Sequence, residues 1–267
     1  MLKISENSAT SATSTAPTII QTSALDEPRV SEDPTNKNQL MEALRFYLLV
    51  STLQNKIRSG WDDKHWNVTA SRLESVAEHC FKACILAISI YATGDKRCAD
   101  INICRVMIML ILHEIGEALI GDITPFDGIT PTEKAQIETQ AVIDVTGNLS
   151  ARERIIDILT EFEARSTEDA KFAHLCDKLE ADLQAKVYQD QGYFHPLGQE
   201  GNDFLASTPE AQQIIANGAK TPFDLWYEYD KHRYQDAPPF ADLLDLARDN
   251  DLADLLVDYL APHKVQS

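Results

Sequence analysis

Apolar residues recur with helical spacing through most of the chain, and no segment alternates with the period of a strand. In NQLMEALRFYLLVSTLQNKI, Leu40, Leu44, Tyr47, Leu48 and Leu53 mark one face of a helix. A second helix is predicted over ESVAEHCFKACILAISIYA, with Ser75 at its start and Gly94 and Asp95 beyond its end. A third, ADINICRVMIMLILHEIGEALIG, is apolar nearly all round and belongs in the core. Gly121 ends it and Pro125 bars its continuation. PTEKAQIETQAVIDVTG opens with Pro131 and an acidic first turn, and SARERIIDILTEFEAR begins with a capping-box pattern, Ser150 and Glu153. STEDAKFAHLCDKLEADLQAKVYQDQG follows, and FDLWYEYDKHRY and FADLLDLARDNDLADLLVDYL are amphipathic as well. The predicted class is all-α.

Residues 1–36 break this pattern. They are rich in Ser, Thr and Pro with no hydrophobic period, so a disordered tail is expected there. The remainder divides into a helical core over 37–190 and a C-terminal helical extension over 191–267, packed on the same domain and placed to cover a site or build a dimer. A chain of 267 residues is long enough for a substantial core. Its net charge of −18 argues against a general nucleic-acid binder, whose surface needs stripes of Lys and Arg. The five cysteines form no CxxC pair and read as buried thiols. There is no signal-peptide pattern and no apolar run of membrane-spanning length, so a cytoplasmic protein that leaves membranes alone is expected.

Against this background, LILHEIGEALIGDITPFD is chemically odd. It sets His113, Glu114, Glu117 and Asp122 among apolar residues, where charged groups are costly unless paired. His113 and Glu117 are four apart and share a helical face, whereas Glu114 projects about 100° away in a regular helix. His79 lies on an earlier helix and Asp177 on a later one. Taken singly, each has a duller reading: a hydrogen-bonded core histidine, a capping acid, a solvated glutamate. Together, two imidazoles and two carboxylates from three helices could close on one divalent ion, and mixed N and O donors suit Mn, Fe, Co, Ni or Zn. HEIGE is not the HExxH of a zincin, because position 117 is Glu. His174, three residues before Asp177, reads as a partly exposed structural histidine.

The three stretches ESVAEH, LILHEIGEALIGDITP and CDKLEADLQA, in this order, resemble the HD-domain metal-dependent phosphohydrolases. The resemblance runs from about residue 40 to 190 and is nearest to the branch of bacterial 5′-deoxynucleotidases. It implies an HD-domain helical bundle that holds one divalent transition metal through His79, His113, Asp177 and the residue after His113. It also implies Glu117 as the catalytic glutamate that handles the attacking water, and Asp122 as a second acidic residue near metal and phosphate. That branch uses an Arg and a Trp before its first His; here Arg58 and Trp61 occupy the comparable place at a different spacing, and Arg72 is a rival phosphate ligand. His65 and Trp66, in the same loop, are expected to shape the pocket, with core packing as the plain alternative for both Trp. One departure stands out: the family pairs His with Asp, and this chain has Glu114. The implied activity is release of phosphate from nucleoside, above all deoxynucleoside, 5′-monophosphates by a homodimeric enzyme. The rivals are a non-catalytic HD protein that binds a nucleotide or a partner through an altered site, and a di-iron oxygenase.

Overall fold

The computed structural model describes residues 37–124, 127–197 and 208–260. The expected N-terminal tail and Pro125 lie outside them. Among the described residues all regular structure is helical, apart from one isolated antiparallel bridge between Ile57 and Ser75.

Three helices form the centre: α2 (Val76–Ala92), α3 (Ile103–Leu112) and α7 (Glu168–Asp190), each in contact with the other two. Helix α1 (Lys37–Ser51) precedes them, and α4 (Glu117–Ile120), α5 (Pro131–Thr146) and α6 (Arg152–Ala164) lie between α3 and α7. The starts of these helices follow from local chemistry. Ser75 caps α2: its hydroxyl accepts from the Glu78 amide, and the Glu78 carboxylate accepts from the Ser75 amide. Thr130 and Glu133 do the same for α5, with Pro131 in the first turn. The expected box at Ser150 does not form. Ala151 stands at the cap of α6, and the Ser150 hydroxyl donates instead to Gln39 of α1. A partner 111 residues away outcompetes the local one.

Two further expectations are corrected. The apolar face read on α1 points outward: Leu40, Leu44, Tyr47 and Leu48 are 57%, 48%, 65% and 56% exposed. It is Phe46, Leu49 and Val50 that pack, against a smaller core around Leu53, Val76 and Ile115. The third helix is also not continuous. After Leu112 the ladder tightens into i to i+3 bonds, Ile115 to Leu112 and Glu117 to Glu114, before α4 completes one turn and Gly121 ends it at φ +80°. Apolar periodicity carries no trace of such tightening, because the residues on both sides remain apolar.

The C-terminal helices α8 (Pro209–Ala216), α9 (Pro222–Asp230), α10 (Pro238–Asp249) and α11 (Leu252–Leu260) follow, and the last predicted segment divides at Asn250. Phe223, Leu225, Tyr234, Phe240 and Leu244 join the main core beside α7. Trp226 stacks on Trp61 with ring centres 5.1 Å apart, and its indole donates to the buried Asp182 of α7. All five cysteines are free thiols, four buried and Cys104 exposed.

Candidate metal centre

The inner stripe of α2 runs Val76, His79, Cys80, Ala83, Ala87 and Ile90, all buried. His79 therefore occupies a core position, with no solvent exposure. On α7, Asp177 and Glu180 sit among Ala173, Cys176 and Leu179 in the same way. The break after α3 delivers the remaining groups. In a regular helix His113 and Glu114 would diverge by about 100°. Here the chain leaves the helix at His113, and both side chains reach the same place.

One donor atom from each of His79, His113, Glu114 and Asp177 lies within 4.8 Å of all the others. His79 Nε2 is 3.0 Å from Asp177 Oδ1 and 3.3 Å from His113 Nε2. Glu114 Oε1 is 3.5 Å from His113 Nε2 and 4.0 Å from His79 Nε2. The far nitrogens fix the tautomers. His79 Nδ1 donates to Glu180 Oε2 at 2.5 Å, and His113 Nδ1 to the Leu110 carbonyl at 2.8 Å. Both Nε2 atoms are thereby left to face inward, the arrangement by which outer hydrogen bonds orient metal-binding imidazoles. Lys82 bridges Glu180 and Glu74, and Glu74 accepts from the Trp61 indole. Two imidazoles and two carboxylates converging in a nearly closed space fit a divalent transition ion.

Around this group the charges are strongly displaced. Burial opposes charge on His79, as does Arg58, yet the hydrogen bonds to Asp177 and Glu180 prevail and raise the ring to about 9. Burial works against the Glu114 carboxylate too, but His113 and Arg58 hold it down to about 2. Glu117, 5% exposed, goes the other way: burial, then Glu114 and Asp122, push its carboxyl up to about 11, and its Oε2 has no hydrogen-bond partner. Arg58 Nη1 lies 2.9 Å from Glu114 Oε1 and 3.7 Å from Asp122 Oδ2, and Asp122 accepts from the Ser59 amide.

Arg58, Glu117 and Asp122 are therefore gathered at the cluster, as read from the sequence. Trp61 and Arg72 are not. Trp61 is 2% exposed and packed between Trp226 and Tyr188, a core residue rather than a surface for stacking a ligand. Arg72 is exposed and pairs with Glu78 at the start of α2. Trp66 is core as well, against Phe194 and Trp226, and His65 bonds Asp62 and Thr124. Sequence reasoning missed Glu180. The signal was available: it is three residues after Asp177 and so on the same face of α7.

These displacements give a pH test. A raised pKa on His79 stabilises the fold without its ion fully below about pH 6.5, the ordinary value, and that contribution is lost as pH rises through about 9. A cation must displace the same proton, so its affinity should climb across that window. Calorimetric metal titration near pH 7.5, in two buffers of different ionisation heat, should show proton release. Identical heats in both buffers would contradict it.

Comparison with known proteins identifies the family. The HD-domain family profile matches residues 50–217. The mouse protein named 5′-deoxynucleotidase HDDC2 is 32% identical over 178 residues, covering 65% of this chain and 84% of that one. Its human counterpart is 32% identical over 181 residues, covering 65% and 82%. The fission-yeast 5′-deoxynucleotidase hdd1 is 29% identical over 162 residues, covering 58% and 76%. A solved structure of a conserved hypothetical protein from Pyrococcus furiosus shares the fold, with a TM-score of 0.54 at 19% identity, over 78% of this chain and 99% of that one. With its profile match spanning His79, His113 and Asp177, the chain belongs to the HD-domain family.

Proposed function

We propose that the protein is a metal-dependent phosphohydrolase that releases phosphate from nucleoside 5′-monophosphates, deoxynucleotides foremost. The observation that carries this is the convergence of His79, His113, Glu114 and Asp177, with Arg58 and an unpartnered buried carboxyl, Glu117, beside them. Hydrolysis of phosphate esters fits the family, and relatives named 5′-deoxynucleotidase support the nucleotide as substrate.

His79, His113, Glu114 and Asp177 would hold one divalent transition ion. When bound, such an ion supplies Lewis acidity toward a phosphoryl oxygen and makes water a better nucleophile at neutral pH. The protein's own groups do the rest. Glu117 accepts the proton of the attacking water, for which its free Oε2 is available. Arg58 offers its guanidinium to the phosphoryl oxygens. Asp122 keeps the Arg58 loop in place through the Ser59 amide. A phosphate-release screen of the purified protein across ribo- and deoxynucleotides, each with Mn²⁺, Co²⁺, Ni²⁺ and Zn²⁺, tests the reading. Metal binding without turnover of any nucleotide would favour a non-catalytic binding protein.

The reading includes a homodimer. The outward face of α1 supports it: Leu40, Leu44, Tyr47 and Leu48 are exposed together, and Glu42 is the only acid on that helix. A copy of a chain of net charge −18 meets little repulsion there. Light scattering should give twice the chain mass, and Leu44→Glu with Leu48→Glu should halve it. A monomeric wild type would refute this part.

A further inference from the structure

Lys178 follows Asp177 on α7, and its ammonium lies 2.9 Å from Asp177 Oδ2. The other oxygen of that carboxylate, Oδ1, faces His79 at 3.0 Å and His113 at 3.5 Å. Asp177 is thus divided between the two sides of the site, its inner oxygen among the metal donors and its outer oxygen on a lysine. Asp177 is buried, while the Lys178 side chain is 38% exposed. The ammonium therefore stands at the edge of the donor cluster, at the end of a side chain that is partly open to solvent.

For holding a dication alone this placement is unfavourable. A fixed positive charge beside a ligand oxygen repels the ion and draws charge from the ligand. It becomes favourable once an anion completes the site. The direct contacts show where positive charge is left over. Glu114 and Asp177 balance a divalent ion. Arg58 is engaged by Glu114 at 2.9 Å and by Asp122 at 3.7 Å. Among the described residues Lys178 is ion-paired with Asp177, which already belongs to the metal set, while the Glu163 carboxyl feels its charge without pairing with it. An ammonium has three donors, so it can keep Asp177 and still turn two outward.

His174 adds a separate observation. It lies one turn before Lys178 on the same face of α7. Both of its ring nitrogens are buried without a hydrogen-bond partner. Buried polar atoms are rarely left so, and these belong to the helix face that also carries Lys178.

We infer that Lys178 is a substrate-binding residue of this site, its ammonium binding a non-bridging oxygen of the phosphate group. This rests on the phosphomonoester reading above. Arg58 and Lys178, each standing on a different acidic ligand, then share the phosphoryl oxygens.

The test uses the full chain loaded with Mn²⁺ and titrated with inorganic phosphate, in the wild type, Lys178→Met and Lys178→Arg. Lys178→Met should weaken phosphate binding by about 10- to 100-fold, the range for losing a charged hydrogen bond. With a nucleoside monophosphate it should raise KM more than it lowers kcat. Its Mn²⁺ affinity should be equal to the wild type's or higher, because a repelling charge is gone. Lys178→Arg should recover most of the phosphate affinity. Unchanged phosphate affinity in Lys178→Met would overturn the inference. So would a parallel fall in Mn²⁺ affinity, which would make Lys178 a support for Asp177 only. If the wild type binds phosphate or turns over nucleotide and Lys178→Met does so equally, the inference alone fails. If the Mn²⁺-loaded wild type does neither, the phosphomonoester reading fails and takes the inference with it.

Discussion

Replacing His113 by alanine is expected to abolish binding of the proposed divalent ion and all hydrolysis that depends on it. His113 Nε2 lies within 3.5 Å of His79, Glu114 and Asp177, so its loss opens the donor set on the side of α3. Loss of an outer hydrogen bond to a metal ligand costs about 10–100-fold in affinity, and loss of a ligand should exceed that. His79→Ala should act alike and also deprive the buried Glu180 of its imidazole partner, leaving it paired with Lys82 alone. Glu114 makes the finer distinction. Its oxygen is shared with Arg58, so Glu114→Gln gives up both ligand charge and ion pair and should bind metal more weakly. Glu114→Asp restores the family's own residue and should retain metal and activity. Metal content by mass spectrometry, with circular dichroism to confirm folding, reads all four variants. Full occupancy surviving both histidine substitutions would show the site to be misassigned.

Glu117→Ala is expected to keep the metal and lower turnover by about 10²–10⁴-fold, the usual worth of a general base. Glu117 is not among the four converging donors, yet it lies close enough to Glu114 and Asp122 for their charge to push its own proton affinity up. Positive charge placed among the ligands opposes that push and moves the carboxyl back toward the range of a working base. Glu117→Gln should be as inactive as the alanine variant, since an amide cannot take the proton. It should unfold no earlier than the wild type, because the carboxyl it replaces is buried with Oε2 unbonded. Turnover in Glu117→Gln equal to the wild type's would assign the proton to another group.

The division between what was readable and what was not follows the range of the interactions. Ser75 with Glu78 and Thr130 with Glu133 are contacts within one helical turn, and spacing reveals them. His79, His113 and Asp177 stood out because histidine and aspartate are out of place in apolar stripes. Spacing could not show that Gln39 takes the Ser150 hydroxyl, or that α1 turns Leu44 outward and Phe46 inward, since both depend on chain far away in sequence. The break at His113 is subtler. A change from i+4 to i+3 bonding leaves composition untouched, yet it brings His113 and Glu114 to one cluster of donors. Core packing of Trp61 could not be told from a place in the pocket, because its partner, Trp226, lies 165 residues away.

Trp61, Trp66 and Trp226 are all the tryptophans in the chain, and Trp226 lies 5.1 Å from each of the other two. The intrinsic emission of the protein therefore arises at one spot, from rings close enough to quench and couple. Trp61 donates to Glu74, Lys82 ties Glu74 to Glu180, and Glu180 holds His79. A fluorophore is thus wired to His79 through three side chains in series, Glu74, Lys82 and Glu180. Filling the site changes the charge on His79 and, along that line, the field on the Trp61 indole, so metal loading should register as a shift in emission without any label. Because Trp226 arrives from α9, detachment of the C-terminal helices would give a different optical signal, and one fluorimeter could follow both events.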